Sequence, residues 1–235
     1  MWRAVLDGLD IDEAPQDWAG TQNNLGIALE TQGTRTAGPE GAALLGEAVD
    51  AYREALRVRT EADHPVDWAM TMQNLGAALI SQGDRTAGPK GAVLLSAAVT
   101  AYREALRVRT EAVHPEDWAM TMQNLGNALQ TQGNRTPGPE GAALHGEAVA
   151  AYRDAVRVRT EAEHPVDWAM TQENMALAEE AIAAHDSTVD PRPHLEAALD
   201  HVEAALRVYD PVHMAHDYEQ ANALRARILK RLSES

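Results

Sequence analysis

Cysteine and phenylalanine are both missing from this chain of 235 residues. Without a thiol there is no disulfide, no thiolate metal site and no cysteine nucleophile. Aromatic residues of all kinds make up only 4%, against a broad hydrophobic fraction of 45%. A core of that kind rests on Ala, Leu, Val and Met, which suit closely packed helices better than β-sheets. Lysine is nearly absent as well: Lys90 and Lys230 stand alone, and arginine carries the rest of the positive charge. That bias reads as base composition rather than chemistry. The net charge of −16 argues against nucleic acid, whose affinity comes from neutralised phosphates, and against anionic membrane surfaces. No apolar run approaches the roughly 18 residues of a membrane span, and the first fifteen residues hold no signal-peptide core. A cytoplasmic chain is the expectation.

What is present is repetition. "DWAMTMQNLG" stands at Asp67–Gly76 and again at Asp117–Gly126, with near copies opening at Asp17 and Asp167. The fifty residues from Pro65 match those from Pro115 at 35 positions. Full repeats are expected over 15–64, 65–114 and 115–164, flanked by a partial repeat helix over 1–14. A divergent repeat follows over 165–210, and a capping helix over 211–235, with Met214 in the Trp slot. The whole chain, 1–235, reads as one array.

Each unit reads as two helices. The first is expected from Asp67, as N-cap, to Gln82, with Gly83 just past its end. Trp68, Met72, Leu75 and Leu79 form one apolar stripe. The polar "GDRTAGPKG" is expected as a loop, and Pro89 falls in the first turn of the second helix. That helix is expected to reach Ala112, burying Leu95, Val99, Tyr102 and Leu106. Arg107 and Arg109 would favour the negative pole of its dipole.

"NLGAAL" at Asn74–Leu79, followed by Ala98, Tyr102 and Ala105, resembles the tetratricopeptide repeat (TPR). Small residues at Gly76, Ala98 and Ala105 let the paired helices approach closely. The likeness holds in three full units and, through Asn174, Ala198, Val202 and Ala205, in a fourth. Two features depart from the family. Its Trp slot is taken by Gln22, Met72, Met122 and Gln172, with the actual Trp one turn earlier; and the period is 50 rather than the usual 34. Long-period variants of this sort belong to bacterial multidomain proteins. The resemblance implies an all-α, right-handed α-solenoid of stacked antiparallel helix pairs, with the first helices lining a concave groove.

The candidate binding residues follow from that likeness. Asn24, Asn74, Asn124 and Asn174 form a row away from the apolar stripe, joined by Met70, Gln73, Met120, Gln123 and Asn127. An Asn ladder of this type can hold an extended peptide through its backbone amides, since Asn both donates and accepts. Equally, each Asn can bond a neighbouring repeat and fix the stacking. Some TPR domains grip a carboxylate with Lys and Arg on this face. Here Gly20, Asn23, Ile27, Met70, Gln73, Ala77, Met120, Gln123 and Asn127 hold no cation, and a neutral or basic peptide suits the acidic chain better.

Other signals point to structure. Gly83–Lys90 lacks the pattern of a phosphate loop, because Pro89 breaks it. Arg35, Arg85 and Arg135 suit salt bridges between adjacent units. His64, His114 and His164 are spread one per repeat rather than gathered at a metal. Trp18, Trp68, Trp118 and Trp168 are expected in the core. No catalytic set, cofactor or metal site stands out, so a scaffold rather than an enzyme is expected. Two further readings stay open: self-association through the N-terminal helix, and a sensor region of a larger effector such as a caspase-like peptidase.

Overall fold

Proline opens the helices. In the computed structural model, which describes residues 2–185 and 188–234, the four first helices begin at Pro15, Pro65, Pro115 and Pro165. Proline has no N–H to leave unsatisfied and its φ is preset for a helix, so these ends need no side-chain cap. His64 and His164, at the N-cap positions, indeed make no capping bond. Asp67 therefore lies inside the first turn rather than at the cap.

The elements are α1 (Trp2–Leu6), α2 (Pro15–Arg35), α3 (Gly38–Ala55), α4 (Pro65–Arg85), α5 (Gly88–Ala105), α6 (Pro115–Gly133), α7 (Pro139–Val158), α8 (Pro165–Ala183), α9 (Arg192–Leu206) and α10 (Ala215–Glu234). No strand occurs among the described residues, so the fold is all-α. The chain divides into two compact units, Met1–His114 and Pro115–Ser235, at the junction of the second and third sequence repeats. Met1, Asp186, Ser187 and Ser235, which the expected partial repeat, divergent repeat and cap include, lie outside the described residues.

The first unit stacks the pairs α2–α3 and α4–α5, with the short α1 against α2. Gly26 abuts Tyr52 and Gly33 abuts Leu45, so the two helices of a pair run antiparallel. Four expectations are corrected here. Helix α4 runs through Gly83 to Arg85, because Gly83 serves close packing against Leu94 and Leu95 rather than chain reversal. The expected long loop shrinks to Thr86 and Ala87, and the Thr86 hydroxyl closes α4 by donating to the Gln82 carbonyl at 2.7 Å. The left-handed residue is Gly88, with φ +67°, a conformation that costs glycine nothing. Helix α5 then stops at Ala105 rather than Ala112, and turns carry the chain on from Leu106. Helix α1 is likewise shorter than the partial repeat helix expected over 1–14.

The core consists of small and aliphatic side chains. Ala69, Leu75, Ala78 and Leu79 of α4 meet Leu95, Ala98, Val99, Tyr102 and Ala105 of α5, all buried. Trp18, Trp68, Trp118 and Trp168 are half-buried, and Trp168 packs against the buried cluster of the second unit, so the indoles border the core rather than fill it. Arg57 sits over the Trp18 ring and Arg157 over the Trp118 ring, 6.0 and 5.6 Å from the centroids. A guanidinium can lie over an indole only where one face of the ring is open to it.

The second unit stacks α6–α7 and α8–α9 and ends on α10, which packs on α9 and α8. Ala221, Leu224 and Ile228 of α10 join Leu195, Ala198, Val202 and Ala205 in one buried cluster. The basic side chains of α10 are not simply solvated. Arg227 grips Glu180 in a fork at 2.7 and 2.6 Å, and Arg231 donates to the Glu180 carbonyl at 3.2 Å.

Within each unit the layers are uneven. Helix α2 touches α4, but α3 does not touch α5; in the second unit α6 touches α8 and α8 touches α10, while α7 and α9 stay apart. The first helices of the pairs therefore form the inner layer of each unit and the second helices the splayed outer one.

Candidate functional site

The inner layer carries the residues singled out in the sequence. In the first unit, Asn24 is exposed, while Met70, Gln73 and Asn74 are half-buried. The Asn74 amide donates to the buried Asn23 carbonyl oxygen at 3.1 Å, tying α4 to α2. In the second unit, Met120, Gln123, Asn124, Asn127 and Asn174 are all half-buried. Asn174 donates to Asn127 at 3.2 Å, and the Asn127 oxygen also accepts from the Tyr152 hydroxyl at 2.7 Å.

The four Asn thus fall into two kinds. Asn74 and Asn174 are spent on the seam between neighbouring first helices. The side chains of Asn24 and Asn124 bond no other described residue. Two apolar side chains share the layer, Ile27 and Met170, each 45% exposed.

The sequence reading missed the cations of this surface. They come not from the first helices but from the turns that precede them. Arg109 does not lie along its helix dipole; it turns inward, is buried, and donates to the Gln73 side chain. Arg159 approaches Gln123 and Asp167 at 3.4 Å, with Glu116 at 3.6 Å. Arg59 is buried too, and its Nη1 donates to the Thr71 hydroxyl at 3.1 Å. The fifty-residue spacing of Arg59, Arg109 and Arg159 was the available signal. What hid it was the assumption that a charged residue near a helix end faces water.

The remaining polar repeats are structural. Arg85 donates to the Gly33, Thr34 and Thr36 carbonyls at 2.7–2.8 Å. These carbonyls lie at the C-terminal end of α2 and its cap residue, so the link to the adjacent repeat is a cap and not the expected salt bridge. His64 meets Gln16 at 2.5 Å, and His164 meets Glu116 at 3.5 Å. Among the described residues no three His, Cys, Asp or Glu side chains come together as a metal ion would require. No described helix is long and apolar enough to cross a membrane.

Burial sets the ionisation of several groups. The Tyr152 phenol, buried beside Gly126, is pushed well above its ordinary pKa by burial. Burial also raises the Glu30 carboxyl, an effect opposed by the Tyr52 hydroxyl that donates to it at 3.1 Å. Burial, and then the nearby His185, lower the pKa of His145, which fills the slot that Leu45, Leu95 and Leu195 occupy in the other repeats. No protein-family model matches the chain, and no curated protein matches it.

Proposed function

We propose that the chain is a TPR-like scaffold that captures a peptide or partner helix on the inner layer of first helices of its units. The observation that carries this reading is the uneven layering. First helices touch within each unit while second helices splay, and the inner layer offers Asn24 and Ile27 in the first unit and Asn124 and Met170 in the second. An amide that bonds no other described residue has a donor and an acceptor to give to an extended backbone. The net charge of −16 favours a partner that is neutral to basic along its length.

The test is a peptide array probed with the full chain, followed by affinity measurements on the captured peptides. Asn24→Ala and Asn124→Ala are expected to weaken capture without changing the melting temperature. Full affinity in the double variant would remove the reading, as would an array that captures nothing.

A further inference from the structure

We infer that the outer stripe of α5 docks an acidic amphipathic helix, which sets an apolar side chain into a groove between α4 and α5. This surface belongs to the outer layer of the first unit, away from the peptide-binding face proposed above. Its partner carries the opposite sign of charge.

The second repeat departs from its neighbours along one face of one helix. At successive outer positions α3 carries Glu40, Ala43, Glu47 and Asp50, and α7 carries Glu140, Ala143, Glu147 and Ala150. Helix α5 has Lys90, Val93, Ala97 and Thr100 in those places. Steps of three and four residues put all four on one side of the helix. Every carboxylate of the stripe is gone, one position has become a cation, and an alanine has become a valine. Of the four second helices, α5 alone has more basic than acidic side chains, Lys90 and Arg103 against Glu104. In a chain of net charge −16 this is a local reversal of the field. Lys90 is exposed and forms no ion pair with a described carboxylate.

Beside the stripe lies a groove of about 490 Å³, lined by Gln82, Thr86, Pro89, Lys90, Val93 and Leu94. Gln82 also faces α3, where a Cβ on Gly46 would stand 3.2 Å from its Nε2. Helices α3 and α5 do not touch, which leaves the groove open. Val93 is 68% exposed, the one large apolar side chain so exposed on a described second helix. A lone exposed valine is ordinary. This one shares a groove with Pro89 and Leu94, on the stripe that has lost its carboxylates. An amphipathic helix fits both features: its apolar side chain fills the groove, and its acidic residues meet Lys90 with no carboxylate opposing them at Ala97 or Thr100. A basic helix would be drawn instead to α3, where Glu40, Glu47 and Asp50 remain.

The experiment is ¹⁵N–¹H nuclear magnetic resonance of the full chain, which registers weak as well as tight binding at the backbone amides. The probe is a short helical peptide of glutamate and alanine with leucines along one face. One control has lysine for each glutamate, and the other has serine for each leucine.

Saturable shifts in α5 and the end of α4 are expected with the acidic peptide, weakening as salt rises, and absent with both controls. Lys90→Glu, Val93→Ala and Ala97→Glu together install the residues that α3 and α7 carry on exposed positions of the same fold. The triple variant should bind the peptide about tenfold more weakly or worse, with its melting temperature retained. No shift with the acidic peptide, equal α5 shifts with the lysine peptide, or undiminished binding by the triple variant would overturn the proposal. So would α5 shifts that grow on concentrating the protein alone, which assign the face to a second copy. Shifts given by octanoate and not by the peptide would overturn it too, and assign the groove to a small amphiphile. Each of these failures would leave capture at Asn24 and Asn124 standing, because those residues lie on the other layer.

Discussion

Gly76 lies under the ring of Tyr102 so closely that a Cβ on it would stand 2.8 Å from the ring's Cζ. The same contact joins Gly26 to Tyr52 and Gly126 to Tyr152. It sets the spacing between the two helices of a pair.

Gly76→Ala is therefore expected to destabilise the first unit although alanine is the better helix former. Overpacking costs about 1–3 kcal/mol, against a propensity gain of about 1 kcal/mol. Gly146 also sits inside a helix, but nothing lies within 4 Å of a Cβ placed there. Gly146→Ala should stabilise by about 0.5–1 kcal/mol. Thermal melts of the two variants should move in opposite directions, and a shared direction would refute the packing assignment.

His145→Leu should raise the melting temperature. The imidazole is buried with Nδ1 unpartnered among the described residues, in a slot where other repeats carry leucine. Relieving an unsatisfied buried polar atom is worth about 1–3 kcal/mol.

Stability should also fall in acid. The pKa of His145 in the fold lies below its ordinary value of 6.5. The stabilisation of its neutral form is thus intact above that pH and is lost as the pH falls through the lowered value. His201, lowered chiefly by burial, acts in the same sense. Denaturant melts from pH 8 to 5 should show the decline, with a shallower slope in His145→Leu. An unchanged slope in that variant would exclude His145 as a contributor.

Leu129→Ala should cost about 2–5 kcal/mol as a buried large-to-small change, and Trp118→Ala clearly less. This ordering marks what was legible in the sequence. The fifty-residue period, the helix pairing and the small residues at Gly76, Ala98 and Ala105 could all be read, because stacking leaves them few alternatives. The place of the indoles could not, since the helical stripe through Trp68 and Leu79 is broad enough that its edge and its centre look alike. Equivalent chemical denaturation midpoints for the two variants would restore tryptophan to the core.

The candidate site was legible in its row but not in its roles. Spacing placed Asn24, Asn74, Asn124 and Asn174 on one face, yet their partners belong to other repeats. Which residue takes the amide differs from repeat to repeat: Asn74 bonds Asn23, whereas Asn174 bonds Asn127. The inward turn of Arg59 had no local signature, because its hydrogen-bond partner is Thr71 of the following helix.

Glu180→Gln should loosen α10. The carboxylate is nearly buried and takes the Arg227 fork. Arg227 is half-exposed, so the loss should be about 1–2 kcal/mol rather than the larger cost of a fully buried pair. Hydrogen exchange should quicken in α10 while α6 is unchanged. Equal quickening in both would show that Glu180 serves the whole unit.

Photo-crosslinking of a captured peptide to the full chain, with the adducts mapped by mass spectrometry, is the most direct test of the inner layer as the binding surface. Adducts confined to α2, α4, α6 and α8 are expected. Adducts concentrated on α3, α5, α7 and α9 would contradict it.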